Sequence, residues 1–167
     1  LRIPFDSPNA RTLNLPISET MYHASIEASM ELAKKRKLLY DESYTDTNID
    51  SPRYAEIHSH LNLNKFELDE LSIEHIGAYA SFDGSPISKG IFQFNMWGSA
   101  HVPSNDRYNW DELRNQIKQY GIRNSLLIAL MPTATTSQIM GVSEAFEPIT
   151  SNLYTRNTKA GDFIQIN

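Results

Sequence analysis

The sequence predicts an α/β fold, and three observations predict it. Helical periods run through Ser18–Arg36 and Trp110–Tyr120. An apolar extended run, Ser125–Met131, ends at Pro132. Two alternating segments, Ser151–Arg156 and Asp162–Ile166, flank Asn157-Thr-Lys-Ala-Gly161 and read as a β-hairpin or two strands joined by a loop.

Taken in chain order, residues 1–16 carry three prolines and turn formers and read as an irregular lead-in. Ser18 is the expected N-cap of the first helix, although the capping-box Glu is missing at its usual place. Met21, Tyr22, Ala24, Ser25, Ala28, Ser29, Leu32 and Ala33 supply its packing face, rich in small side chains. From Tyr40 to Pro52 the chain is polar and turn-rich, which predicts a loop. Asn64–Ile76 resumes a helical pattern through Phe66, Leu68, Leu71, Ile73 and Ile76, and Gly77 stops it. Asp83–Gly90 is a loop, and for Ile91–Trp97 the periodicity does not choose between extended and helical backbone. Trp110, Leu113, Ile117 and Tyr120 share one helix face, with Gly121 as the stop. A short helix to Met140 follows the Ser125–Met131 strand, and Trp97 and Trp110 are expected to fill core.

Composition narrows the function classes. Fifteen basic against twenty acidic residues give a net charge of −5, which leaves no broad electrostatic footprint for nucleic acid. The one dense basic run, Lys34-Lys35-Arg36-Lys37, reads as a solvated helix end. There is no cysteine, so disulfides, thiolate metal sites and cysteine nucleophiles are excluded within these residues. No apolar run is long enough to cross a bilayer and no signal peptide opens the chain, so a soluble, cytoplasmic setting is expected. Both termini read as cut from something longer.

The most informative stretch is Ser125-Leu-Leu-Ile-Ala-Leu-Met-Pro-Thr-Ala-Thr-Thr-Ser-Gln-Ile-Met-Gly141. An extended segment here feeds a helix start crowded with the hydroxyls of Thr133, Thr135, Thr136 and Ser137. The first N–H groups of a helix lack intrahelical partners and lie at the positive end of its dipole, so phosphate satisfies both. The competing explanation is that Ser and Thr are simply good N-caps, and the pattern alone leaves both open.

Three blocks carry a more specific signal. They are Ser85-Pro-Ile-Ser-Lys-Gly-Ile-Phe-Gln-Phe-Asn-Met-Trp97, the run from Tyr120 to Gly141, and Glu144-Ala-Phe-Glu-Pro-Ile-Thr-Ser-Asn-Leu-Tyr-Thr-Arg156. In order and spacing they resemble the class I ribonucleotide reductase large subunit, of the eukaryotic and large-virus type. Pro4-Phe-Asp-Ser7 and Glu19-Thr-Met-Tyr-His-Ala-Ser-Ile-Glu-Ala-Ser29 resemble it too. The resemblance covers residues 1–36 and 79–167. Residues 38–76 are expected to be an insertion within a single partial domain, 1–167.

The resemblance implies part of a ten-stranded α/β barrel that reduces ribonucleoside diphosphates to deoxyribonucleoside diphosphates for DNA synthesis. By position it implies that Thr133, Ala134, Thr135 and Thr136 contact the substrate phosphates, Ala134 through its backbone N–H alone. It further implies a thiyl radical and a reducing cysteine pair outside this chain, so no catalytic residue is expected within it. No cofactor or metal is expected on this segment. The family's enzyme takes its radical from a metal-containing small subunit and responds to nucleoside triphosphate effectors. The implied partners are the remainder of the large subunit, a second large subunit, the small subunit, and thioredoxin or glutaredoxin as reductant. An excised barrel sector would expose strand edges and apolar faces, and poor solubility is expected.

Other residues have plainer explanations. His58 and His60 lack an evident third ligand and read as loop. Arg123 and Asn124 fit a structural ion pair better than substrate contact. Lys89 reads as solvated, Glu144 and Glu147 as capping or packing, and Asn152 and Tyr154 as internally satisfied. Two alternatives to the catalytic fragment remain at this level: a stand-alone phosphate- or nucleotide-binding regulatory module, and a structural remnant without ligand.

Overall fold

A computed structural model describes residues 3–45, 52, 73–98, 103, 106–145, 147 and 151–166. The chain forms two compact units, one of residues 1–12 with 129–167 and one of residues 13–128.

Helix α1 spans Pro8–Thr45, well beyond the expected Ser18–Arg36 at both ends. Ser7, rather than Ser18, caps it, its Oγ accepting from the Ala10 N–H at 3.1 Å. Pro8 then occupies the first helical position, where its missing N–H costs nothing. Pro16 lies inside the helix, and the neighbouring Thr20 hydroxyl donates to its carbonyl at 2.7 Å. The expected irregular lead-in is therefore corrected from residue 8 onward: a proline at the first turn costs no hydrogen bond, and the long helix tolerates a second one at Pro16. The polar stretch after Tyr40 also stays helical to Thr45, helped by a Lys37–Asp41 pair one turn apart. The basic run thus sits within the helix, not at its end, and Lys34 lies over the Tyr120 ring at 4.9 Å.

The buried stripe of α1 is His23, Ile26, Ser29, Met30 and Ala33. It is rotated from the expected face: Met21 and Leu32 are exposed, as are Ala24 and Ala28. Ser29 and Ala33 are buried as expected and Tyr22 packs against the core, but Ile26 and Met30 take the place of Ala24 and Ala28 because the larger side chains gain more from leaving water. Against this stripe pack Ala78, Phe82, Phe92, Phe94, Ile122, Trp110, Leu113 and Ile117.

Ile73–His75 forms a single 3₁₀ turn, and Gly77 follows it. Residues 64–72 of the expected Asn64–Ile76 helix lie outside the described residues, as do His58 and His60. Gly77 approaches α1 so closely that a Cβ there would collide with the Ala33 carbonyl. His75 bridges two elements, with Nδ1 2.7 Å from an Asp83 carboxylate oxygen and Nε2 2.9 Å from the Lys118 carbonyl.

The undecided Ile91–Trp97 segment contains a one-turn helix, α2 (Gln93–Met96), whose Asn95 side chain accepts from the Phe92 N–H at 2.9 Å. Trp97, expected in the core, is 74% exposed, because it stands just past α2 where no described residue covers it. Helix α3 spans Trp110–Tyr120 as the periodicity predicts. Asn109 caps it by accepting from Glu112 N–H at 3.0 Å, and Gly121 ends it at φ 75°. Trp110, Leu113 and Ile117 are buried, and Tyr22, Phe92, Phe94 and Trp110 form an aromatic cluster with ring centroids 5.0–6.4 Å apart.

After α3 the chain is tied to α1. The Arg123 N–H donates to the Ser29 carbonyl at 3.0 Å, and the Asn124 N–H donates to the Ser29 hydroxyl at 2.9 Å. The predicted strand Ser125–Met131 is not in a sheet: among the described residues it has no ladder partner. A strand exists through bonds to a neighbour, and Leu126, Leu130 and Met131 are correspondingly exposed. The short helix α4 (Thr135–Met140) follows.

The only sheet among the described residues is the hairpin β1 (Leu153–Thr158) and β2 (Gly161–Ile166), paired antiparallel from Leu153↔Ile166 to Thr158↔Gly161. Its strands run further into the turn than Arg156 and Asp162, the expected inner bounds. Gly161, at φ 129°, and the Thr158 hydroxyl, bonded to both the Gly161 carbonyl and the Ala160 N–H, close it over two residues. The apolar Leu153, Ile164 and Ile166 share one face and are exposed.

Candidate functional site

The hydroxyl-rich stretch forms a closed loop with α4 inside it. At its start Thr133 donates twice to the Glu144 carbonyl, from N–H at 2.9 Å and from Oγ1 at 3.3 Å. The Thr133 carbonyl accepts from Thr136 N–H at 3.0 Å. At the far end Gly141 adopts the left-handed conformation, its N–H returning to Gln138 and Ser137 carbonyls, and Val142 N–H reaches Ser137 at 3.0 Å. These bonds satisfy carbonyls that the last helical turn leaves unpaired.

Ala134 precedes the helix at φ 43°, ψ −109°, and is the one non-glycine with positive φ among the described residues. Such a conformation costs about 1–3 kcal/mol and concentrates at functional sites. The Ser137 hydroxyl, grouped by sequence with the other three, is buried and donates to the Ala134 carbonyl at 2.6 Å. It supports the loop from within. Among the described residues the N–H groups of Ala134 and Thr135 have no acceptor, and no side-chain bond holds the Thr135 or Thr136 hydroxyl. Thr133, Ala134, Thr135 and Thr136 are all exposed. The structure therefore brings the four predicted residues into one exposed turn. Sequence reasoning missed the Glu144 carbonyl, because a backbone acceptor leaves no mark in residue type.

The other candidates take structural roles or stay solvated. Asn124 is held by Ser29, whose hydroxyl also lies 3.3 Å from its Oδ1. Lys89 and Glu147 are exposed, as is the Glu144 side chain. The Tyr154 hydroxyl donates to Gln165 Oε1 at 2.7 Å, satisfied within the hairpin as expected, whereas Asn152 is exposed. Among the described residues no three His, Cys, Asp or Glu side chains come together as a metal site, and no helix is long and apolar enough to cross a membrane.

With this loop and its flanking blocks in view, the comparison with known proteins is specific. Residues 1–167 match the family described as ribonucleotide reductase, barrel domain. The chain is 40% identical over its full length to ribonucleoside-diphosphate reductase large chain 2 of Saccharomyces cerevisiae, covering 14% of that protein. It is 41% identical to the large chain of Encephalitozoon cuniculi and 40% identical to the large subunit of Arabidopsis thaliana, again over its full length, covering 16% and 15% of them. The chain belongs to the ribonucleotide reductase large-subunit family, within its barrel domain. It spans about a seventh of the length of these relatives.

Proposed function

We propose that this chain is a segment of the catalytic subunit of a ribonucleoside-diphosphate reductase and that its Thr133–Thr136 turn holds the substrate's phosphates. The observation that carries this reading is that, among the described residues, the N–H groups of Ala134 and Thr135 and the hydroxyls of Thr135 and Thr136 have no hydrogen-bond partner. Two adjacent backbone donors and two rotatable hydroxyls form a donor set suited to a polyanion. The donors are held in advance by the loop's own bonds, so less ordering is needed on binding.

What the turn contributes is placement. Gripping the diphosphate fixes the ribose relative to groups elsewhere in the subunit, and such placement removes orientational entropy from the reacting complex. The chain has no cysteine, so the radical and the reducing dithiol belong to other parts of the enzyme. The small subunit, nucleoside triphosphate effectors, a second large subunit, and thioredoxin or glutaredoxin belong to this reading as partners of the whole enzyme. So do the ten-stranded barrel, a cytoplasmic setting, and an insertion at residues 38–76.

The test is nucleoside diphosphate affinity and turnover in the large subunit carrying this segment, with Thr135→Ala and Thr136→Ala against wild type. Each variant loses one hydroxyl while keeping its N–H. Each should weaken diphosphate binding about three- to tenfold, the effect of one hydrogen bond. Unchanged affinity and turnover in both overturns the phosphate site.

A further inference from the structure

His75 stands between two acceptors. Its Nδ1 lies 2.7 Å from an Asp83 carboxylate oxygen and its Nε2 lies 2.9 Å from the Lys118 carbonyl, with the side chain only 12% exposed. An ionised carboxylate and a carbonyl have no proton to give, whereas a neutral imidazole offers one N–H and one lone pair. A neutral ring would therefore set a lone pair against an acceptor at one of the two contacts. Only the imidazolium donates at both. Helix α3 favours the same charge, because Lys118 lies in its last turn, where carbonyls lack intrahelical partners and form the negative end of the dipole. The Phe82 ring meets the imidazole edge to face at 4.9 Å and fixes its place. Of the other charged groups around it, Glu74 lines an open cleft with Lys37 and Asp41 of α1, which pair with each other. The Lys118 side chain passes beside Gly90.

We propose that His75 is a pH-sensitive latch. As the imidazolium it fastens the Ile73–His75 turn to the Asp83 loop and to the C-terminal end of α3. When the proton leaves, one of the two bonds goes with it and the junction loosens. Histidine suits the task because its charge changes at mild pH. The closed junction holds a proton that the open one gives up, so by linkage it is tightest in acid and weakens as pH rises. Just beyond the latch the Tyr79 N–H donates to the Ile122 carbonyl at 3.1 Å, so the same junction fixes where the chain leaves α3.

The experiment follows amide hydrogen exchange in the large subunit carrying this segment between about pH 6 and 8.5, the range in which imidazole changes charge. Rates are corrected for the intrinsic pH dependence of exchange, and the probes are peptides covering residues 73–85 and 117–122. Wild type is compared with His75→Gln and Asp83→Asn. The second variant is diagnostic, because its amide can donate to Nδ1 and so lets a neutral ring keep both bonds. In wild type, protection of both peptides should fall about two- to fivefold as pH rises, the effect of one partly exposed charged pair. In Asp83→Asn the protection should no longer vary with pH, and at the alkaline end it should at least equal that of wild type. His75→Gln should lose the pH dependence as well. Wild-type protection that stays level across the range overturns the latch. A fall as large in either variant as in wild type also overturns it, because another group is then the one that titrates.

Discussion

Tyr22 shows how one side chain ties packing to solution behaviour. Its ring lies in the aromatic cluster, and its hydroxyl accepts from the Gln93 N–H at 2.9 Å. Burial raises its pKa above the ordinary tyrosine value near 10, a shift only partly opposed by the Gln93 bond. The folded state therefore keeps this proton to higher pH than the unfolded chain does. Above about pH 10 the unfolded state binds fewer protons than the native one, so stability falls as pH rises through the folded pKa. Denaturant titrations between pH 8 and 11 should show this decline, and Tyr22→Phe should flatten it. The same variant should lower stability at neutral pH by about 0.5–1.5 kcal/mol, the net worth of one hydrogen bond whose Gln93 donor can turn to water.

At the scale of elements, the contact between α1 and the chain at Gly77 sets how closely the two can pack. A methyl group at 77 collides with a helix carbonyl, which cannot rotate away as a side chain would. Gly77→Ala should cost at least about 1–3 kcal/mol, the range for overpacking in a core. A thermal melt of the variant beside wild type measures it, and an unchanged melting temperature would show that the approach is looser than described. Element positions were legible where side chains alone dictate them. Helix α3 was read to its bounds because Trp110, Leu113 and Ile117 recur at helical spacing and Gly121 ends the run. Helix α1 runs longer than its apolar period, and its buried face is only partly the expected one. Its polar ends carry no apolar period, and its many small residues do not say which side faces the core.

The whole molecule depends most on what lies outside any local window. Ser125–Met131 has the composition of a buried strand, yet it gains strand structure only from neighbours, and the described residues supply none. The exposed Leu126, Leu130 and Met131 and the apolar hairpin face of Leu153, Ile164 and Ile166 show the same dependence. A chain without cysteine cannot carry out thiol-based reduction by itself, even with a competent phosphate turn. The 167-residue chain alone should form no deoxynucleotide from ribonucleoside diphosphates under reducing conditions, checked by chromatographic product assay. Measurable product would place the redox chemistry within these residues and contradict the proposed division.

By itself the sequence determined the family resemblance, the exclusion of cysteine chemistry within these residues, the bounds of α3, and the hydroxyl-rich run Thr133–Thr136 as the candidate site. Each is a matter of residue type and short-range spacing, which the one-dimensional chain displays directly. Tertiary structure decided which face of α1 is buried, that Trp97 is exposed, and how the donors of the turn are shared. Thr133 and Thr135 are the same residue type two positions apart, and no local pattern tells them apart. The difference is the Glu144 carbonyl, a backbone acceptor brought to Thr133 by the fold, which engages one threonine and leaves the other open.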